Sequence, residues 1–363
     1  MTTRFCTLFN IRYASRGLAM LESLVRVRRG ADDDILVLAL DGETAQLLRD
    51  LSLGRWRVIQ LPELGDAELM KVKETRPFRE FCWTTTPALC FALVRDSAPG
   101  DRVVYLDADM LFFRDPQLLL DELEPDGAIL IHEHRYSPDC MIWLPRSGRF
   151  NVGLVGFQVG PEAEACVTLW REQVIAQCEV DLAKGHCGDQ GYLDEWPALY
   201  PHLRIMRHIG GGVAPWNIAQ YRLDDGPAGP RIDGSDVIFY HYHSLSQIAT
   251  PGVGLVAVMP AASHYPLTDD MRRLLYRPYV RALLDADRRM RRRGITLESE
   301  LPLDQKFETA PIGAFWPAKG LLQMASGMRA LTEERLRPMA ARAVRRVIGR
   351  PLRSSAKAGR PES

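Results

Sequence analysis

Short, unbroken apolar runs alternate with stretches of helical spacing through the first third of the chain. "RFCTLFN" (4–10) reads as a buried strand. In "GLAMLESLVRVRRG" (17–30), Leu18, Leu21, Leu24 and Val25 share a helical face, and Gly30 ends it. "DILVLALD" (34–41) has the continuous apolar character of a strand covered on both faces. "GETAQLLRDLSL" follows as a helix, "WRVIQLPEL" as a strand, "PALCFALVRDSAPG" as a helix closed by Pro and Gly, and "DRVVYLDADM" as the next strand. This β-α-β-α order predicts an α/β fold with a mostly parallel sheet flanked by helices. Ligands of such sheets bind beyond the carboxyl ends of the strands.

Beyond residue 116 the pattern is mixed. "GAILIHEHR" and "FNVGLVGFQVG" read as strands, "EAEACVTLWREQVIAQCEVDLA" as a long helix and "DVIFYHYHSL" as a late strand. Helical spacing dominates from about Thr268 onward. The expected organisation is a domain over 1–250, a mainly helical basic extension over 251–350 and a disordered tail over 351–363.

Composition narrows the function classes. The chain has 363 residues, 46% hydrophobic and 25% charged, enough for a large core. Lys+Arg and Asp+Glu are equal at 46 each, so the chain as a whole is no polyanion binder. The seven cysteines are scattered among apolar residues, as reduced buried thiols are. A zinc site from Cys178, His186 and Cys187 fits no common ligand spacing. The N-terminal apolar run is cut by Asn10 and Arg12, unlike a secretory signal. No stretch reaches the about 18 apolar residues of a membrane span. A cytoplasmic location is expected.

The charge is segregated, with "DADRRMRRRG" and "RLRPMAARAVRRVIGRPLR" both strongly basic. In the second, Leu336, Ala340, Ala343, Val344 and Val347 recur at helical spacing behind Pro338, and Arg residues crowd the other face. Such a helix suits either an anionic membrane surface or packing on a partner. No aromatic residues interleave with the basic ones, which argues against nucleic acid.

The chemistry concentrates at "VVYLDADMLFFRDP". Asp107 and Asp109 flank Ala108 at the end of a buried strand, where ionised carboxylates need a partner. Mg²⁺ or Mn²⁺, held by one or two carboxylates and substrate phosphates, supplies one. A phosphatase of the haloacid-dehalogenase type also ends an apolar strand in DxD, with the Gly188–Asp189 to Asp194 stretch as its second metal site. A non-catalytic relic that binds nucleotide sugars is the third class.

Several ordered stretches resemble the GT-A glycosyltransferases, and within them a bacterial group close to family 8: "LFNIRYASRGLAMLESL", "REFCWTTTP", "VVYLDADMLFFRDP", "RFNVGLVGFQ", "GHCGDQGYLDEWP", "GGGVAPWN" and "IFYHYHSL". The resemblance covers roughly residues 1 to 245. It implies a metal-dependent transferase moving a sugar from a nucleotide-diphosphate donor, UDP-linked, to a saccharide or lipid-linked acceptor. Asp107 and Asp109 would hold Mn²⁺ or Mg²⁺, with a late-strand histidine as third ligand. His241 or His243 fills that place, and the KPW segment that often follows it in family 8 is missing.

By the same resemblance, Asn10 and Tyr13 would meet the base. Among Lys71, Lys73, Arg76 and Arg79, Arg76 is the candidate for the diphosphate. Asn151, with Gly153 open beside it, would line the sugar pocket. Asp189 and Gln190 would face the reacting sugar, and Trp216 would stack on the acceptor side. The family likeness implies retaining transfer; inversion would need a carboxylate base, Asp189 or Glu195.

Overall fold

The computed structural model describes residues 1–30, 33–181, 186–250, 254–258, 265 and 267–298. The early alternation becomes β1 (Thr3–Phe9), α1 (Ala14–Val27), β2 (Asp34–Ala39), α2 (Gly42–Ser52), β3 (Arg57–Gln60), α3 (Ala67–Lys73), α4 (Phe78–Arg95) and β4 (Arg102–Leu106). Next come β5 (Met110–Phe112), α5 (Gln117–Leu120), β6 (Ile129–Glu133), α6 (Leu144–Ser147), β7 (Phe150–Gln158) and α7 (Pro161–Ala176). The chain continues through β8 (Val180–Asp181), β9 (His186–Cys187), α8 (Trp196–Leu199), β10 (Leu203–Ile205), β11 (Leu223–Gly226), β12 (Gly229–Ile232), β13 (Ser235–Asp236) and β14 (Phe239–His241). It then forms β15 (Ser246–Thr250), β16 (Gly254–Val258), α9 (Asp269–Met271) and α10 (Arg277–Arg291).

The central sheet has seven strands in the order β10-β6-β7-β4-β1-β2-β3. All neighbours run parallel except β7, which is antiparallel to both β4 and β6. This mostly parallel, helix-flanked sheet is the α/β architecture expected from the sequence. The unbroken apolar runs of β1, β2 and β4 are buried because helices cover both faces. Register pairs Cys6 with Tyr105, so β1 and β4 end side by side.

Three elements differ from the sequence reading. The strand expected over 56–64 stops at Gln60 and turns into a 3₁₀ turn, Leu61–Leu64. Pro62 suits that first turn, and Glu63 accepts the Gln60 N–H at 2.7 Å. The helix expected from Pro87 begins at Phe78 and runs through the proline. Around Pro87, which has no N–H, Thr84 and Thr85 hydroxyls donate to the carbonyls of Glu80 and Phe81, both at 2.7 Å. The late strand shortens to β14, which pairs with β5 rather than joining the central sheet.

The chain divides into two compact units. Of the described residues, the first contains those of 1–243 and 265–297, and the second those of 244–258 and Glu298. Within the first, Tyr279 of α10 stacks on Tyr242 with centroids 3.7 Å apart, and Arg289 pairs with Glu22 of α1 at 2.7 Å. The basic stretch "DADRRMRRRG" is thus largely the end of a packed helix. In the second, β15 and β16 form an antiparallel hairpin. The second basic stretch (335–353) and the tail lie outside the described residues. No helix among the described residues is long and apolar enough to cross a membrane.

Candidate functional site

Asp107 and Asp109 lie between β4 and β5, beyond the carboxyl end of a central strand. The turn is fixed by the Asp107 N–H, which donates to the Gly153 carbonyl of β7 at 2.9 Å. The pairing of β14 with β5 sets His241 opposite Met110, one residue past Asp109. His241 Nε2 then stands 3.1 Å from Asp109 Oδ1 and 3.7 Å from Asp107 Oδ2. One ligand atom from each residue lies within 4.8 Å of the others, the one such group of His, Cys, Asp or Glu side chains among the described residues. The His186 side chain is not among those described, so the sequence-level zinc idea lies outside them.

The electrostatics of the trio follow from its crowding. Burial raises the Asp107 carboxyl, with Asp109 adding to the rise and His241 opposing it. Burial also pushes Asp109 up, but His241 and Arg16 outweigh it and hold the group down at about 2. For His241 burial favours the neutral ring, and the two carboxylates reverse that to a raised value. Two oxygen donors and one imidazole nitrogen make a donor set that fits Mn²⁺ or Mg²⁺. Tyr105 donates to Asp107 Oδ1 at 3.0 Å and so orients that carboxylate.

Beside the trio, Asn151 is 8% exposed on β7. Its Oδ1 accepts the Gly153 N–H at 3.0 Å, and its Nδ2 donates to Gln190 Oε1 at 2.8 Å. Gln190 Nε2 donates in turn to the Ser147 carbonyl at 2.6 Å. Asp189 is 5% exposed; burial raises its carboxyl well above the usual range, and Asp107 adds to the shift. The Trp170 indole N–H donates to the Asp189 carbonyl at 2.9 Å and anchors this turn to α7. The sequence-expected Asp107, Asp109, Asn151, Asp189, Gln190 and His241 are therefore brought to one region.

Asn10, Tyr13, Arg76 and Trp216 are the remaining expected residues. Asn10 is half-buried at the end of β1, next to the end of β4. Tyr13 is 39% exposed with the Arg16 guanidinium 4.4 Å from its ring centroid. Arg76 is engaged elsewhere: it donates to the carbonyls of Val174 (2.7 Å) and Ile175 at the end of α7, and to the Thr84 hydroxyl at 2.6 Å. Trp216 is 4% exposed, its indole N–H on the His134 carbonyl at 2.9 Å. Its ring meets His241 and His243 edge-on, both at 5.4 Å. In this arrangement it wedges the two imidazoles. His243 itself is exposed.

Asp194, needed by the phosphatase alternative, accepts the Arg149 N–H at 3.0 Å and the Phe150 N–H at 3.3 Å, and so caps the start of β7. Glu195 is exposed. The sequence reading passed over Arg16 and Tyr105. Arg16 is 2% exposed in the first turn of α1, and its charge acts on Asp109. The available clue was a basic residue inside the otherwise small and apolar turn "ASRGLA".

No protein-family model matches the chain. The uncharacterized protein YfnD of Bacillus subtilis (strain 168) is 30% identical over 283 residues, spanning 77% of this chain and 88% of that protein. The uncharacterized protein YfnF of the same organism is 30% identical over 253 residues, spanning 67% and 81%. Solved structures similar to the chain include mouse xyloside xylosyltransferase 1, 16% identical with a TM-score of 0.43, covering 67% of this chain and 98% of that one. The galactosyltransferase LgtC, in complex with donor and acceptor sugar analogues, is 14% identical with a TM-score of 0.44, covering 78% and 95%. The glycosyltransferase GlyE of Streptococcus pneumoniae TIGR4 is 14% identical with a TM-score of 0.44, covering 82% and 65%. All three superpose loosely.

Proposed function

The chain belongs to the family of the Bacillus subtilis proteins YfnD and YfnF, and we propose that it is a metal-dependent glycosyltransferase. It would move a sugar from a nucleotide-diphosphate donor, UDP-linked, to a saccharide or lipid-linked acceptor, with retention. The observation that carries the reading is the convergence of Asp107, Asp109 and His241 beyond the end of β4. The ordered sequence stretches shared with GT-A enzymes add to it.

Asp107, Asp109 and His241 would hold Mn²⁺ or Mg²⁺. Bound there, the cation stabilises charge growing on the leaving nucleoside diphosphate, an effect worth several kcal/mol in such sites. Asn10 and Tyr13 would receive the base, at the adjacent strand end. Asn151 offers donor and acceptor groups for sugar hydroxyls. Gln190 is a neutral amide and a poor nucleophile, so its role is to stabilise the reacting sugar rather than to bond to it. Asp189, with its raised carboxyl, suits hydrogen bonding to a sugar hydroxyl better than base catalysis. The leaving phosphate would then take the acceptor proton.

The test is turnover of UDP-, GDP- and dTDP-hexoses with and without Mn²⁺, followed as released nucleoside diphosphate. Mn²⁺-dependent release from a UDP-hexose is expected; none from any donor would leave the non-catalytic reading. A cytoplasmic enzyme with its basic stretch on an anionic membrane completes the proposal. Full-length protein and a variant with Arg335, Arg337, Arg342, Arg345 and Arg346 changed to Gln are compared in anionic-vesicle sedimentation at low and high salt. Equal sedimentation of the two would reject the membrane contact.

A further inference from the structure

Two His-x-His pairs occur in the chain, His132/His134 at the end of β6 and His241/His243 at the end of β14. The second supplies a metal-ligand candidate. The first has no part in the reaction proposed above, yet His134 is held on several sides. It is 3% exposed. Its ring stacks on Tyr136 with centroids 4.6 Å apart and planes 9° from parallel, and it meets Trp216 edge-on at 5.1 Å. Its backbone carbonyl takes two donors, Trp216 Nε1 at 2.9 Å and Asn217 Nδ2 at 2.8 Å.

The hydrogen bonds around this ring permit one assignment of protons. His134 Nδ1 lies 3.3 Å from the Arg149 carbonyl, which only accepts, so Nδ1 carries the hydrogen. Burial keeps the ring neutral at ordinary pH, with its value lowered to about 3. Nε2 is then a bare acceptor, and Asn151 Nδ2 stands 3.3 Å from it. The Asn151 amide has no freedom to turn over. Its Oδ1 must face the Gly153 N–H, which only donates. Its two amide hydrogens therefore go to His134 Nε2 and to Gln190 Oε1. Gln190 is fixed in the same way, because its Nε2 faces the Ser147 carbonyl. From the Arg149 carbonyl to Gln190 each donor and acceptor is thus assigned, with Asn151 donating in both directions.

We propose that His134 is a positioning residue of this site: its neutral imidazole accepts an Asn151 amide hydrogen at Nε2 and so holds the Gln190 amide with Oε1 toward Asn151 and Nε2 toward Ser147. Gln190 Oε1 has two lone pairs, of which Asn151 uses one. The other is left for the sugar at a set angle. Without the acceptor at Nε2, Asn151 has an unmatched buried donor, and the amide pair loses one of the contacts that set its angle.

The effect on turnover rests on the glycosyl-transfer reading; the hydrogen-bond arrangement does not, so the two are tested apart. Long-range ¹H–¹⁵N spectra of the wild-type protein report the His134 tautomer directly. The neutral ring protonated at Nδ1 is expected at pH 7; an Nε2–H tautomer or an imidazolium would overturn the proposal whether or not the enzyme turns over donor. For function, His134→Phe keeps a ring for Tyr136 but has no acceptor, while His134→Gln places a carbonyl oxygen near Nε2. With the UDP-hexose turned over fastest in the Mn²⁺ panel, His134→Phe should lower kcat by about 10- to 100-fold with donor KM within about 3-fold, and His134→Gln should recover most of the loss. Equal losses in two folded variants would overturn positioning through the acceptor. Should His134→Phe fail to fold, His134→Gln with a loss as large as 100-fold would do the same. Failure of the wild type to turn over any donor would instead fall on the transferase reading, with the tautomer measurement still deciding this one.

Discussion

A methyl group added at Gly153 would lie 2.7 Å from Asn151 Oδ1, 2.9 Å from His241 Nδ1 and 2.9 Å from Met110 Cε. Met110 can swing its terminal methyl away; the amide and the imidazole cannot, since each is held by its partners. At the residue scale this glycine therefore joins the Asp107, Asp109 and His241 trio to the amide pair. Gly153→Ala should destabilise the fold by about 1–3 kcal/mol and weaken Mn²⁺-dependent donor binding as well. Urea unfolding and a donor titration check it, and an unchanged binding constant would disconnect the two halves of the site. The two late histidines separate in the same way. His241 Nε2 faces both carboxylates, whereas His243 meets the edge of Trp216. His241→Ala should weaken Mn²⁺-dependent donor binding more than His243→Ala, and the reverse order in a Mn²⁺ titration would move the ligand to His243. The sequence left this choice open because alternate positions of a strand share a face. The antiparallel register of β14 on β5 is a tertiary fact that separates them.

At the scale of elements, legibility followed how local the cause was. Continuous apolar runs made β1, β2 and β4 readable, because burial on both faces leaves few alternatives. α4 was misplaced at its start, since the clue sought was Pro87, which the helix carries in its interior. Arg76 shows the same limit. In sequence it is one member of a basic cluster; in the fold its guanidinium satisfies the last carbonyls of α7, a bond between residues almost a hundred positions apart. Arg76→Ala should then cost about 2 kcal/mol of stability, the range for hydrogen bonds to a charged group. Donor affinity of the folded variant should change little if those carbonyls are its main task. A stability unchanged within error, with a large loss of donor affinity, would return Arg76 to the diphosphate.

At the scale of the whole molecule, the helix-flanked sheet and the carboxylate pair at a strand end point to one region, the carboxyl edge shared by β1 and β4. The DxD spacing was readable because two carboxylates after a buried run demand a partner. The His134 relay was not, since it depends on which atoms of three amide and imidazole groups face one another. The central claim is that Asp107, Asp109 and His241 bind a cation that in turn binds the donor. Isothermal titration of a UDP-hexose into wild type and the Asp107→Asn, Asp109→Asn double variant, each with and without Mn²⁺, tests it most directly. The account predicts Mn²⁺-dependent binding in the wild type, matched by about 2.7 kcal/mol of added stability at donor 100-fold over its Kd, and loss of that dependence in a double variant that stays folded. Donor binding of equal strength in both proteins, with or without Mn²⁺, would contradict it.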